Sequence, residues 1–313
     1  MSWYAGVDVG ASKIRAVVGS ETGQIEARVS AETPMAGSEE GVTEIVLRSL
    51  GEVLERAALE PEEIAGCGIG AIGPLDMVRG EIVDSANLTT ARERIPLVEP
   101  VERLLSAEVS LWNDANAGVI GERFYAERSP DDMVYLTLST GVGAGVCIDG
   151  RVVSGWDGNA AEVGHLVVEV GGLECSCGGQ GHWEAYASGA NLPRHARAVA
   201  ANQPVETDLN LETLTAETLY AAYGSDPLAT MVLDRTNAYN LAGIVNLVHA
   251  YAPLVIVVGG AVARENPALV VDPIDEALAD RVMSNVPEVK LTALGDESCV
   301  KGALAAAIEQ ASG

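Results

Sequence analysis

The chain reads as an α/β protein of two lobes with a central cleft, and three observations lead there. Its 313 residues are too many for one small core and suit two domains of ~100–200 residues each. Runs with strand character alternate with stretches at helical spacing. A glycine-turn hairpin near the start returns about 130 residues later, which points to two related lobes. Hydrophobic residues make up 48% of the chain and glycines number 34, enough for sizeable cores with many tight turns.

The elements follow in order. Trp3 to Val9, Ile14 to Val18 and Gln24 to Ser30 are three strands of a meander, punctuated by a glycine turn and by Glu21-Thr22-Gly23. From Glu40 to Leu59 the apolar residues Val42, Ile45, Val46, Leu50, Val53 and Leu54 fall near helical spacing, and Ile64 to Ile69 returns as a strand. Val109 to Trp112 is a short strand whose end, Asn113-Asp114, runs into a helix from Ala115 to Ala126. The opening theme then repeats: Val134 to Leu138, a glycine-rich turn, Ala144 to Ile148 and the Asp149-Gly150 turn. Asp157 to Gly181 is rich in glycine and polar residues and needs something other than a core to hold it. Helical segments fill Glu184 to Tyr251, Leu254 to Val258 is a core strand ending in Gly259-Gly260, and a last helix covers about Cys299 to Ala311. The lobes are expected at 1–112, joined by the C-terminal helix at 296–313, and at 113–295, with the cysteine loop in the larger one.

Acidic residues number 45 against 19 basic ones, and the formal charge is −26. Such a surface repels phosphate backbones and excludes nucleic acid as a partner. Lys13, Lys290 and Lys301 are the only lysines. Excess acid with arginine in place of lysine fits work in high salt, where screening tolerates self-repulsion; an ordinary acidic cytosolic protein is the alternative. No basic or cleavable apolar leader opens the chain, since Met1 to Val9 reads as a strand, so a cytoplasmic protein is expected. The uncharged stretch Thr236 to Ala263 is long enough to span a bilayer. Asn237, Asn240, Asn246 and His249 interrupt it and Pro253 divides it, which favours a buried helix followed by a core strand, with no membrane partner. Cys67, Cys147 and Cys299 sit singly in apolar segments, so no disulfide framework is read; only Cys175 and Cys177 cluster.

Four constellations carry chemistry. In Asp8-Val9-Gly10-Ala11-Ser12-Lys13 an acid ends a strand and small residues form the turn, which can offer backbone N–H groups to a phosphate while Asp8 holds Mg²⁺ or its water. A glycine hairpin alone is more often structural. The second loop, Ser139-Thr140-Gly141-Val142-Gly143-Ala144-Gly145, would allow one loop per lobe to hold the two ends of a triphosphate tail. Asp114 lies where a strand hands over to a helix, and is either a helix N-cap or the carboxylate that deprotonates a hydroxyl in phosphoryl transfer. His165, Cys175, Cys177 and His182 make a set compatible with tetrahedral Zn²⁺, although Cys-x-Cys is tighter than the spacing of a zinc finger, and incidental clustering is the other reading.

Together these residues resemble the ROK family, named for its repressors, open reading frames and sugar kinases, over nearly the whole chain. DVGASKIRAVVG is similar to its first phosphate motif, LWNDANAGVIGE to its catalytic segment, STGVGAGVCIDG to its second phosphate motif, and EVGH with CSCGGQGHWEAYASG to its signature. The resemblance implies an actin-like ATPase (ribonuclease H-like) fold, and ATP with Mg²⁺ as phosphoryl donor to a hexose. It implies Asp114 as general base and Asn113, Asp114, Glu162, His165 and Glu184 on the sugar. It assigns Asp8, Gly10, Ala11, Ser12, Lys13, Thr140, Gly141, Gly143, Gly259 and Gly260 to the nucleotide, and His165, Cys175, Cys177 and His182 to a structural Zn²⁺. A homodimer or homotetramer is also expected. Two departures stand out: His182 replaces the family's third zinc cysteine, and Gly10-Ala11-Ser12 replaces Gly-Gly-Thr. Glucose is the first-choice sugar, ahead of mannose, fructose, N-acetylglucosamine and N-acetylmannosamine; polyphosphate is an alternative donor. The family's repressors carry a DNA-binding region before the first phosphate strand, which here begins at Trp3. A non-catalytic sugar sensor conflicts with Asp114 and two glycine loops.

Overall fold

The computed structural model describes residues 2–34, 38, 40–83, 88, 94–127, 129–283 and 285–312, so Met1, counted with the opening strand, lies outside the described residues. The chain divides into two compact units, one of residues 1–131, 145–161 and 296–313, the other of 132–144 and 162–295. The boundary expected at 112/113 thus falls at 131/132, and a second piece, 145–161, groups with the first unit. Helix–helix contact explains the shift, as described next.

In the first unit β1 (Trp3–Val9), β2 (Lys13–Ser20) and β3 (Ile25–Glu32) form the antiparallel meander. α1 (Val42–Ala57) follows, and β4 (Ile64–Ala71) then pairs parallel to β1. A small antiparallel sheet of β5 (Leu75–Asp76), β6 (Glu81–Val83) and β7 (Arg94–Pro96) precedes α2 (Val98–Leu105). β8 (Glu108–Asn113) joins β4 in parallel and leads directly into α3 (Asp114–Phe124), giving the sheet order β3-β2-β1-β4-β8. Six of the seven residues of β1 are buried, because α1 covers one face of the sheet and the C-terminal α11 (Ser298–Ser312) covers the other. α3 packs along α11 at glycines: a Cβ on Gly302 would run into the Ala117 carbonyl, and one on Gly121 would stand 2.8 Å from the Ser298 carbonyl. This close crossing is why α3 belongs with α11 and the first sheet. Gly302→Ala should therefore overpack the crossing and cost about 1–3 kcal/mol, seen as a lower urea midpoint at unchanged m-value.

The second sheet has the order β11-β10-β9-β12-β13, built from β9 (Met133–Leu138), β10 (Val142–Ile148), β11 (Arg151–Val152), β12 (Val255–Gly259) and β13 (Glu288–Leu291). It repeats the order of the first: a consecutive run of three strands, then two strands added in parallel at the other edge. The unit boundary falls inside β10, whose residues from Gly145 onward group with the first unit. α4 (Glu184–Ala187), α5 (Leu192–Asn202), α6 (Ala216–Ala221) and α7 (Pro227–Tyr251) follow the cysteine loop. α8 (Ala261–Glu265), α9 (Pro267–Val270) and α10 (Asp272–Leu278) connect β12 to β13. The Thr236–Ala263 stretch holds the end of α7, the strand β12 and the start of α8, and no helix among the described residues is long and apolar enough to cross a membrane.

α5 carries a buried histidine that the sequence did not mark. His195 is 3% exposed, with Nδ1 3.3 Å from the Tyr186 carbonyl and 3.4 Å from Thr236 Oγ1. Burial lowers its pKa to about 4, opposed by the Tyr186 carbonyl and assisted by Arg235. An unfolded histidine titrates near ~6.5. Between those values the unfolded chain takes up a proton that the folded chain refuses, so stability falls as pH drops from about 6.5 to about 4 and the loss then levels off. The effect is on the order of 3 kcal/mol. Urea melts at pH 7 and pH 4 should show that His195→Gln lacks this part of the wild-type acid loss.

Candidate functional site

The first candidate phosphate turn is the β1–β2 connection. The Gly10 N–H donates to the Lys13 carbonyl at 3.0 Å, and Thr33 braces the other side through Oγ1 to the Gly10 carbonyl at 2.7 Å and its N–H to the Ser12 carbonyl at 3.1 Å. Ala11, Ser12 and Lys13 are exposed. Asp8 lies directly across the ladder from Arg15, whose Nη1 donates to Asp8 Oδ2 at 3.3 Å and whose Nη2 meets Asp296 Oδ2 at 2.7 Å. Burial raises the Asp8 carboxyl above the usual carboxylate range, against the opposing pull of Cys299 and Arg15.

The parallel registers bring the catalytic candidates to the same sheet edge. Val9 pairs with Ala71 and Ala71 with Asn113, so the ends of β1, β4 and β8 share one rung. Asn113 and Asp114 lie there, at the carboxyl ends of the strands, where open α/β sheets place ligand-binding groups. Asn113 is the N-cap of α3: its side chain accepts the Ala115 N–H at 3.0 Å. Asp114 is the first helical residue, so the N-cap reading of Asp114 gives way to Asn113. Its Oδ1 also accepts the Ala115 N–H, at 2.8 Å, and its charge sits at the favourable end of the helix dipole. Cys299 was read as an isolated apolar cysteine. Instead its sulfur stands 2.5 Å from where a Cβ of Gly70 would lie, and burial, then Asp8 and Asp114, raise its pKa well above the ordinary thiol value.

In the second unit the β9–β10 turn closes with the Ser139 N–H on the Gly141 carbonyl at 2.9 Å. Thr140 is exposed, and Gly141 and Gly143 are partly so. The turn is held by the segment after the cysteine loop: Glu184 Oε2 accepts the Val142 N–H at 3.0 Å, and the Gly189 N–H donates to the Ser139 carbonyl at 2.7 Å. A pocket of about 380 Å³ opens on Ser139 and Thr140, with Ala190, Thr215, Tyr220 and Asn266 among its lining. Gly259 ends β12, and Gly260, at φ 87°, lies so close to the Leu138 carbonyl that only a residue without a side chain fits. Thr215, Tyr220 and Asn266 escaped sequence reading. Thr215 heads a capping box with Thr218, a local signal that could have marked the start of α6.

Glu162 is exposed and immediately precedes a 3₁₀ turn, Val163–His165. Crowding by neighbouring atoms raises its carboxyl, His165 opposes the shift and the charge of Glu184 adds to it. The donor atoms of His165, Cys175, Cys177 and His182 all lie within 4.8 Å of one another. Cys177 Sγ is 3.2 Å from His182 Nδ1, and Cys175 Sγ is 3.9 Å from His165 Nδ1. Ligand atoms on a tetrahedron around Zn²⁺ stand ~3.3–3.8 Å apart, so this set of two thiols and two imidazoles fits a tetrahedral metal. The candidate ligands are not all that holds this loop. Tyr186 Oη accepts the Leu173 N–H at 2.6 Å, short bridges pair Val167 with His182 and Glu174 with Gln180, and Cys175 packs with Ala185 and Tyr186.

The predicted residues thus form two groups. Asp8, Gly10 to Lys13, Asn113 and Asp114 gather on the first unit. Thr140, Gly141, Gly143, Glu162, His165, Cys175, Cys177, His182, Glu184, Gly259 and Gly260 belong to the second.

Known proteins share this organisation. The chain is 36% identical over 319 residues to a glucokinase of Aeropyrum pernix, covering 98% of this chain and 97% of that protein. The crystal structure of a ROK hexokinase from Thermus thermophilus matches with a TM-score of 0.81 at 30% identity, over 99% of both chains. A ROK family glucokinase from Streptomyces griseus, solved in complex with glucose and AMPPNP, matches with a TM-score of 0.76 at 30% identity, over 98% of this chain and 100% of that one. The fold, two sheets of the same strand order flanked by helices, is the actin-like ATPase fold. The ROK family model matches residues 4–310, and the chain belongs to the ROK family.

Proposed function

We propose that this chain transfers the γ-phosphoryl group of ATP to glucose, giving glucose 6-phosphate, with Asp114 as the general base. Full-length identity to glucokinases supports the substrate pair. The observation that carries the mechanism is the shared rung that places Asn113 and Asp114 at the same sheet edge as the phosphate turn of β1.

Phosphoryl transfer asks little covalent chemistry of an enzyme and much positioning. Asp114 takes the proton of the attacking hydroxyl. Asn113, Glu162, His165 and Glu184 bind the other sugar hydroxyls, where an analogue lacking one would leave a polar group of the site unpaired. The backbone of Gly10 to Ser12 and of Thr140 to Gly143 receives phosphate oxygens, with Lys13 beside the first turn and Gly259 and Gly260 near the nucleotide. Asp8 offers the hard oxygen donor that suits the Mg²⁺ accompanying ATP, directly or through water, and this ion supplies charge neutralisation on the phosphates. His165, Cys175, Cys177 and His182 hold one structural Zn²⁺.

Turnover of a hexose panel, scored as ADP release with ATP or polyphosphate as donor, tests the reading. Glucose with ATP should show the highest kcat/KM; a tenfold preference for mannose, fructose or an N-acetylhexosamine would reassign the sugar, and no turnover would make the protein a sensor. The proposal extends to a cytoplasmic homodimer or homotetramer adapted to high salt. Its acidic, lysine-poor composition supports the last point, and activity rising with KCl into the molar range is the expected result.

A further inference from the structure

Glu184 engages two different segments with its two oxygens. Oε2 accepts the N–H of Val142 in the phosphate turn at 3.0 Å, and Oε1 receives the hydroxyl of Ser176, which stands between Cys175 and Cys177, at 3.5 Å. A Cβ on Gly141 would lie 2.8 Å from Oε2 and 3.7 Å from the carboxylate carbon of Glu184. Gly141 does not have a left-handed backbone, so a side chain there would meet this carboxylate rather than strain the turn.

The frame behind Glu184 is rigid. The preceding Trp183 is fully buried, and its Nε1–H donates to Asn240 Oδ1 at 2.8 Å. Six residues later the same segment reaches the other end of the turn, with the Gly189 N–H on the Ser139 carbonyl at 2.7 Å and the Ala190 N–H on the Thr140 carbonyl at 3.3 Å. Residues 184–190 therefore hold the turn at both ends. The only side chain in that grip is the carboxylate already assigned to the sugar.

We infer that Glu184 is the positioning residue that couples sugar to nucleotide: sugar hydroxyls fix its carboxylate, the carboxylate fixes the Val142 N–H, and the phosphate turn is then ordered before ATP arrives. The inference rests on the kinase reading above. Coupling of this kind is reciprocal, and is commonly about 5- to 150-fold in affinity.

Isothermal titration of the zinc-loaded protein with AMPPNP, with and without saturating glucose, measures the coupling, and glucose turnover by the wild type tests the kinase reading separately. In the wild type, glucose should tighten AMPPNP by about fivefold or more. In Gly141→Ala, where the added methyl displaces the carboxylate from the Val142 N–H, the ratio of AMPPNP affinities with and without glucose should fall below about twofold, whatever the variant's affinity for either ligand alone. Glu184→Gln, whose amide oxygen can still accept the Val142 N–H, provides the conservative second variant and should keep a ratio above about twofold even where glucose binds more weakly. An unchanged ratio in folded Gly141→Ala, or a ratio of one in a wild type that phosphorylates glucose, overturns the inference and leaves the kinase reading standing. A wild type that phosphorylates no hexose overturns both.

Discussion

Asp114→Asn should lower kcat for glucose phosphorylation by about two to four orders of magnitude, while the Kd for glucose changes by less than about threefold. The amide keeps the shape of the carboxylate and can still accept the Ala115 N–H that the acid accepts at 2.8 Å, so the start of α3 is preserved. What disappears is the carboxylate proposed as the base. Asn113 remains as N-cap, which protects the variant from the loss of helix stability that removing a cap brings. Steady-state kinetics beside glucose titration check this, and a variant within tenfold of wild-type kcat would remove Asp114 from the role of base.

Stripping metal from the protein should raise the Kd for glucose more than tenfold, because the cluster lies between the sugar candidates. His165 follows Glu162 by three residues, and His182 precedes Glu184 by two. Elemental analysis of protein purified without added metal should find close to one zinc per chain, and chelation should first be felt in sugar affinity. Structural zinc contributes about 10–16 kcal/mol in peptides that lack any other core. Here the Tyr186–Leu173 hydrogen bond and the packing around Cys175 hold part of the loop independently, so global unfolding is not the expected consequence. Cys177→Ser, on the exposed side of the cluster, should lower both zinc content and glucose affinity. Less than about 0.2 zinc per chain in a fully active protein would refute a structural zinc, whose Zn²⁺ would otherwise be held by four ligands.

Much of this was legible before any coordinates. Asn113-Asp114 stands out because a short apolar run ends in two polar residues that favour helix starts, and the strand–helix junction is where the structure places them. The two glycine turns are legible because small residues interrupt strand runs in the same way twice, and the sheets indeed share one order. The candidate metal set is legible because soft donors are rare in this chain, with four histidines and five cysteines in all. Cys299 and Arg15 were not legible: one is a single cysteine in an apolar helix, the other one arginine in a strand, and what matters is their contact with Asp8. The grip of residues 184–190 on the turn at 139–142 joins segments more than forty residues apart, and nothing in either segment announces the other.

Sequence alone determined the fold class and the identity of the candidate chemical groups, because periodicity and turn residues are properties of short windows. Tertiary structure decided which units those elements join, that α3 belongs with α11, that Asn113 and not Asp114 caps the helix, and which oxygen of Glu184 faces which donor. These depend on the close approach of distant backbones at glycines and on the register between strands. Register and close packing are settled by burial against partners far along the chain, which a local pattern does not encode.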